Sequence, residues 1–390
     1  MRFHIASEGE ILEGKTTDVY FVRTKDILER THKSRRVYAE FTVMNPPYPW
    51  VVFAGLDEVL NLMKGRNVNI YAMPEGTVFK SRSVDGVPVP VMAIEGDYKD
   101  FAVFETPILG FICQASGIAT KSARMRIAAG NRLLLSFGVR RMHPAIAPLI
   151  DRASYIGGCD GVSSIIGAEH IGKKPSGTMP HALIIVLGEE QAWKYFDDFV
   201  SEDVPRIALI DTFGDEKFEA IKAVESVENL SAIRLDTPSS RRGNFADIVR
   251  EIRWELKIRG KENVKIIVSG GLDEEQVSEL RDIVDGFGVG TSISNAKTID
   301  YAMDIVEVEG TPIAKRGKFS GRKRVFRCKD CGEYHVSHAE ELKKCSKCGG
   351  DLEEMLKPIM VKGEIITEYP SEESIREYVI EQLKMYEKSL

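Results

Sequence analysis

Four short apolar segments in the second half of the chain each end in residues suited to holding a magnesium-bound phosphate. They are Ile207-Ala208-Leu209-Ile210-Asp211, Ala232-Ile233-Arg234-Leu235-Asp236, Ile266-Ile267-Val268-Ser269-Gly270-Gly271 and Phe287-Gly288-Val289-Gly290-Thr291. In a parallel array of βα units the strand C-termini share one face, so two carboxylates and two glycine-rich turns converge there. Carboxylates hold Mg²⁺, and glycine turns let backbone N–H groups approach phosphate oxygens closely. Taken singly, Asp211 or Asp236 reads equally well as a cap for the helix that follows. Taken with both glycine turns, they point to a phosphorylated, metal-bound substrate.

A second cluster carries different chemistry. Cys328-Lys329-Asp330-Cys331 and Cys345-Ser346-Lys347-Cys348 are two C-x-x-C pairs separated by 13 residues. That spacing lets four thiolates surround one Zn²⁺ tetrahedrally, which leaves no open position for catalysis. Gly332 and Gly349 directly follow each pair, where a tight knuckle turn needs them. The expectation is structural zinc, with two vicinal redox pairs as the alternative. So short a module could hardly fold on a core of its own, so it reads as a small metal-stapled appendage. Cys113 and Cys159 stand apart in apolar or glycine-rich surroundings and read as core residues.

The elements that must position these groups follow from periodicity. Thr17 to Lys33 suits an amphipathic helix, and Val37 to Thr106 reads as a strand-rich first domain broken by Pro46-Pro47, Pro74-Glu75-Gly76 and Asp85-Gly86. Helical spacing resumes from Pro107. Strand-helix units are then expected in sequence: strands at 182–187, 207–211, 232–236 and 265–269, with helices near 189–200, 215–227, 245–259 and 273–283. Repeated βα units imply a barrel or an open parallel sheet. After Ile305 the chain turns charged, with Lys315, Arg316, Lys318, Arg322, Lys323, Arg324 and Arg327 ahead of the cysteines, and a last amphipathic helix is expected near Ser374 to Lys388.

A chain of 390 residues has room for two or three domains. Its formal net charge of -6 argues against general adhesion to nucleic acid. No apolar run approaches the roughly 20 residues that span a bilayer, and the start runs into Glu8 and Glu10 rather than a signal-peptide core. The expectation is a cytoplasmic protein with neither nucleic acid nor membrane as partner.

Seven short motifs occur in register with one known family. Thr17-Asp18-Val19-Tyr20, Phe137-Gly138-Val139-Arg140-Arg141, Gly177-Thr178-Met179-Pro180-His181, Leu209-Ile210-Asp211-Thr212, Ile233-Arg234-Leu235-Asp236, Ser269-Gly270-Gly271-Leu272 and Gly288-Val289-Gly290-Thr291 stand in the order found in nicotinate phosphoribosyltransferases. The chain resembles that family from about Thr17 to Arg327, where Gly321-Arg322-Lys323 also looks like its late basic motif. The resemblance implies an α/β fold of type II: an incomplete α/β barrel over 111–310 and a mixed α/β N-terminal domain over 1–110; the small basic and zinc-knuckle-like module over 311–390 holds the four cysteines, which lie beyond the part the resemblance explains. It implies transfer of phosphoribose from 5-phosphoribosyl 1-pyrophosphate (PRPP) to nicotinate, with Mg²⁺ on the PRPP, in a homodimer or higher homo-oligomer whose sites are shared.

By the same resemblance Phe137 stacks on the pyridine ring, and Arg140 lies beside the ring carboxylate or the ribose phosphate. Ser163, Ser164 and Thr178 are candidates for hydrogen bonds to the carboxylate. Asp211 and Asp236 hold ribose hydroxyls and Mg²⁺, Arg234 approaches the diphosphate, and Gly270, Gly271, Gly288 and Gly290 cradle the 5′-phosphate between Ser269 and Thr291. Tyr20 reaches into a neighbouring subunit's site. His181 matches the histidine that ATP-coupled members phosphorylate, which leaves ATP as a further cofactor open. Where many relatives continue with Ser-Gly-Asp, Asp236 is followed by Thr237-Pro238-Ser239-Ser240-Arg241.

Two other functions compete. Quinolinate phosphoribosyltransferase shares the fold and PRPP chemistry, but its substrate carries a second carboxylate and needs further cations, for which Arg141 and His143 are the obvious spares. A zinc-ribbon nucleic-acid-binding protein would use Lys315 to Arg327 with the cysteines, and would leave the strand-end residues unexplained.

Overall fold

Strands that are apolar along their whole length are buried on both faces, and the second half of the chain is built of them. In the computed structural model, which describes residues 3–236, 243–338 and 341–386, Ile207–Leu209, Gly286–Val289 and most of Lys265–Ser269 are buried. They belong to a six-stranded sheet in the order Gly161–Val162, Leu133–Ser136, Gly286–Val289, Lys265–Ser269, Ala232–Leu235, Ile207–Leu209. Every neighbouring pair is parallel. Among the described residues the two edge strands do not pair, so this is an incomplete α/β barrel. Its helices Glu216–Ser226, Phe245–Ile258 and Glu274–Leu280 are each capped by a polar side chain: Asp215, Asn244 and Asp273 accept backbone N–H bonds at their N-termini.

The chain divides into two compact units, Lys121–Ala296, which holds this sheet, and Met1–Thr120 with Lys297–Ser389. The second is mixed α/β. Its seven-stranded sheet runs Thr311–Pro312, Tyr301–Val308, Arg36–Val43, Met92–Asp97, Val68–Ala72, Lys357–Val361, Glu364–Ile365, with antiparallel neighbours. A three-stranded ribbon, Tyr334–Ser337, Arg324–Cys328 and Leu352–Glu354, carries the cysteines. It is not an appendage. Val325, Tyr334, Met355 and Met360 share one buried cluster with Phe41, Phe53 and Phe79, and Tyr334 donates its hydroxyl to the Val78 carbonyl at 3.1 Å. The expected last helix, Glu372–Leu383, packs back on its unit: Gln382 accepts from Val78 N–H at 3.0 Å and donates to the Gly76 carbonyl at 3.0 Å.

One expected strand is a helix. Residues His181–Leu187 are helical, followed by a break at Gly188 (φ 83°) and the helix Glu189–Phe199. A short unbroken apolar run has no period that separates a buried strand from a helix. Here Ile184 is buried while Ile185 and Val186 are exposed. The stretch Tyr98–Ala129 contains the one helix among the described residues long and apolar enough by composition to cross a membrane. Of its apolar window 61% is buried in the fold, as in a core helix.

Candidate active site

Parallel register decides which side chains meet at the strand C-termini. Ser269 pairs with Gly288, Val268 with Leu235, and Leu209 with Arg234, so Asp211, Asp236, Gly270 and Gly290 all follow on one rim. That rim borders a cleft of about 780 Å³ lined by Phe137, Arg140, Ser163, Arg234, Asp236, Ser269, Gly270, Gly271, Gly288, Gly290 and Thr291. A second cleft of about 320 Å³, lined by Thr178 and His181, shares Arg140, Arg234 and Asp236 with the first. Sequence reading missed Ser176, Ser292 and Asn295, which also line the larger cleft. Continuing the Gly-Val-Gly-Thr motif into its following turn would have found the last two.

The glycines are required by close approach. Gly270 has φ 97°, and a Cβ there would stand 3.0 Å from Oδ1 of Asp236. A Cβ on Gly288 would fall 2.4 Å from Cε2 of Phe137, so that glycine makes room for the aromatic ring as well as facing the cleft. Asp236 is oriented by Ser269, whose hydroxyl donates to Oδ1 at 3.0 Å.

Asp211 plays a different part from Asp236. Its side chain is almost fully buried and lines neither cleft. Oδ1 lies 3.0 Å from Nε2 of His181, and Oδ2 accepts the Asp236 N–H at 2.6 Å. Burial pushes the Asp211 carboxyl up, and His181 with the Asp236 amide pulls back against it. Arg234 is the counterpart cation. Burial pulls its guanidinium down, opposed by Asp236 and Asp211, and its buried Nε has no hydrogen-bond partner among the described residues. A buried guanidinium with an unmet donor at a cleft rim calls for an anion.

Other expected residues are placed as follows. Ser163 lines the cleft. Ser164 instead caps the helix Ile165–His170 and is held by the buried Asp151, which accepts both its N–H, at 3.1 Å, and its hydroxyl. Thr178 donates to the Met179 carbonyl at 3.3 Å. Tyr20 lies in the helix Val19–Thr31 of the other unit, exposed, with its hydroxyl on Asp18 at 3.2 Å. The Thr237 to Arg241 loop lies outside the described residues.

The four cysteine sulfurs all lie within 4.8 Å of one another. Cys328 and Cys348 are 3.4 Å apart, and Cys331 and Cys345 are 3.7 Å apart. A tetrahedron of zinc–sulfur bonds near 2.3 Å puts sulfurs about 3.8 Å apart, so the set fits zinc. Gly332 and Gly349 close the knuckles, donating to the Cys328 and Cys345 carbonyls at 3.0 and 2.9 Å with φ of 69° and 75°. The buried His335 adds a contact from Nε2 to the Cys345 sulfur at 3.2 Å.

The basic run beside the ribbon carries its own counter-charges. Lys315 and Lys318 pair with Asp304, Arg322 with Glu95 and Glu307, Lys323 with Glu40, Arg324 with Glu354 and Arg327 with Glu353, all within 2.9 Å. This removes most of the charge that a nucleic-acid surface would use.

Residues 18–116 match the family model for the quinolinate phosphoribosyl transferase N-terminal domain, and residues 118–304 match that for its C-terminal domain. Fold and site together define a phosphoribosyltransferase. The nicotinate phosphoribosyltransferase of Mycobacterium tuberculosis is 30% identical over 351 residues, covering 84% of this chain and 71% of its own. Among solved structures, nicotinate-nucleotide pyrophosphorylase from Pyrococcus furiosus aligns with a TM-score of 0.94 at 56% identity, over 99% of both chains. Human nicotinic acid phosphoribosyltransferase, at 19% identity, shares the fold with a TM-score of 0.78 over 95% of this chain and 94% of that one. The chain belongs to the nicotinate phosphoribosyltransferase family.

Proposed function

We propose that the protein joins nicotinate to PRPP, giving nicotinate mononucleotide and pyrophosphate for NAD synthesis. The observation that carries this reading is the larger cleft, in which Phe137, Arg140, Arg234 and Asp236 face two glycine turns. The pyridine nitrogen lone pair forms a bond to C1 of the ribose as the C1–O bond breaks and its electron pair leaves with pyrophosphate. Negative charge therefore grows on the leaving group, where the unmet Arg234 donor is suited to receive it. Phe137 supplies a stacking platform worth about 0.5–1.5 kcal/mol beyond area burial, enough to orient the ring. Asp236 fits Mg²⁺, which prefers one or two carboxylates plus substrate phosphates and would neutralise diphosphate charge.

His181, held on Asp211 and lining the adjoining cleft, is the group on which ATP coupling would act. A homo-oligomer in which Tyr20 enters a neighbouring subunit's cleft completes the proposal. Zinc in the four-cysteine site would hold the ribbon without joining the chemistry.

Quinolinate is the second reading, favoured by the description of the matching family models. It needs cations for a second carboxylate. Of the two spares, Arg141 lines the cleft, whereas His143 does not and its Nδ1 accepts the Ala145 N–H at 3.2 Å. Incubation with PRPP, Mg²⁺ and each pyridine base, with and without ATP, followed by mass analysis of the products, separates the readings. Nicotinate mononucleotide from nicotinate alone supports the first; carbon dioxide release from quinolinate supports the second.

A further inference from the structure

Ile207–Leu209 is an edge strand, so the chain beyond it has a neighbouring strand on one side only. On that side the Ile210 N–H still reaches the Arg234 carbonyl at 3.1 Å. Beyond Asp211 the amides of Thr212, Phe213 and Gly214 have, among the described residues, no strand on the outer side to bond to, and a side chain takes that place. All three donate to one side chain. Thr212 N–H reaches Oε2 of Glu219 at 3.0 Å, Phe213 N–H reaches Oε1 at 2.7 Å, and Gly214 N–H shares Oε1. Glu219 is 1% exposed and projects from the helix Glu216–Ser226. It is not needed as that helix's cap, because Asp215 already accepts the Lys217 N–H at 3.0 Å.

Three consecutive peptide planes fixed to one carboxylate form a stiff link, and Asp211 is the residue immediately before them. Both Asp211 oxygens must be held in place at once, one on His181 and the other on the Asp236 amide. On the outer side of this sheet edge, among the described residues, the Trp193 indole N–H holds the Leu209 carbonyl at 3.1 Å, and the Glu219 clamp takes over just beyond Asp211.

We infer that Glu219 is a positioning residue for the transfer: it takes the place of the missing neighbouring strand and holds Asp211 on His181 and the Asp236 amide. The inference rests on the transferase reading of the cleft. Glu219 lines neither cleft, so its effect on the transfer is indirect, through the segment that follows Asp211.

The test is a double-mutant cycle on the full chain. Glu219→Gln keeps the size of the side chain but turns an NH₂ toward an N–H donor, so part of the clamp is lost. The expected result is a fall in kcat of about 10-fold or more with KM for PRPP within about 2-fold, and less than about 2-fold further loss in an Asp211→Asn background. An equal loss in both backgrounds, or an unchanged kcat, overturns the inference. Should Glu219→Gln fail to fold, Glu219→Asp, which keeps the charge but draws the oxygens back by one methylene, goes through the same cycle, and the same outcomes support or overturn the inference. If the wild-type chain does not turn over nicotinate with PRPP, the substrate reading fails by itself. Amide exchange at residues 212–214 then decides: faster exchange in the variant supports the clamp, and unchanged exchange overturns it.

Discussion

The imidazole Nε2 of His181 stands 3.0 Å from Oδ1 of Asp211, a carboxylate only 3% exposed. The pair sits at the end of one strand while Asp236, at the end of the next, faces the cleft. Two aspartates that look alike in the sequence therefore lie in different places. One is buried against a histidine; the other lines the cleft.

Replacing either should damage turnover by a different route. Asp211→Asn and Asp236→Asn are each expected to lower kcat by about 10²-fold, the usual cost of removing a preorganised electrostatic group. Only Asp236→Asn should also raise the Mg²⁺ concentration needed for half-maximal rate. Steady-state kinetics across a Mg²⁺ titration checks both, and unchanged rates at saturating Mg²⁺ would remove the two residues from the site.

Much of this arrangement was legible in the sequence because it is written in residue types. Short β-branched runs ending in Asp or Gly-Gly announce strand ends, and two C-x-x-C pairs announce a metal site. The helix at His181–Leu187 was not legible, since an unbroken apolar run lacks the period that would identify it. Glu219 was invisible for another reason: its partners are backbone amides, which leave no mark on residue type. The pairing of the basic run was not legible because its partners are distant in sequence, as when Lys323 pairs with the buried Glu40 at 2.7 Å.

The zinc prediction follows from the ribbon's place in the core of its unit. Structural zinc contributes on the order of 10–16 kcal/mol of apparent binding free energy in small peptides. Because Val325 and Tyr334 share a cluster with Phe41 and Phe79, Cys328→Ser should lower the melting temperature of the protein, with less effect on kcat of the folded fraction. Metal analysis that finds no zinc in freshly purified protein would count decisively against the site.

Acid sensitivity should trace in part to Glu95. Burial alone would raise this carboxyl, but Arg322 and Arg36 outweigh it and hold it at about 2, against 4.5 for a free Glu. The unfolded chain then binds more protons than the folded one, so the stabilisation is present above pH 4.5 and fades as pH falls toward 2. Both arginines are partly exposed, which keeps the effect small and salt-sensitive. Urea unfolding of Glu95→Gln across that range should show a shallower acid limb than wild type; an identical slope would exclude this group.

Sharing of sites between subunits is testable through Tyr20. Mixing Tyr20→Ala chains with Asp236→Asn chains, each strongly impaired alone, should raise activity above that of either, because some hybrid sites would be wholly wild type. Failure to recover activity despite proven subunit exchange would argue for sites built within one chain.

Nicotinate should be preferred over quinolinate, because among the described residues the cleft offers Arg140 and Arg234 to one carboxylate and the phosphates, with Arg141 as the remaining cation of its lining. Burying an unpaired carboxylate costs several kcal/mol, and each 1.36 kcal/mol is about a factor of ten in rate, so kcat/KM should differ by at least about 10²-fold. Nicotinamide should be rejected for the opposite reason: it brings no charge for the arginines to meet. Competition kinetics with the three bases reads both ratios. Quinolinate consumed with carbon dioxide release at a rate matching nicotinate would overturn the preference and favour the quinolinate reading, and a loss of that activity in Arg141→Ala with nicotinate turnover spared would then place the second carboxylate on Arg141.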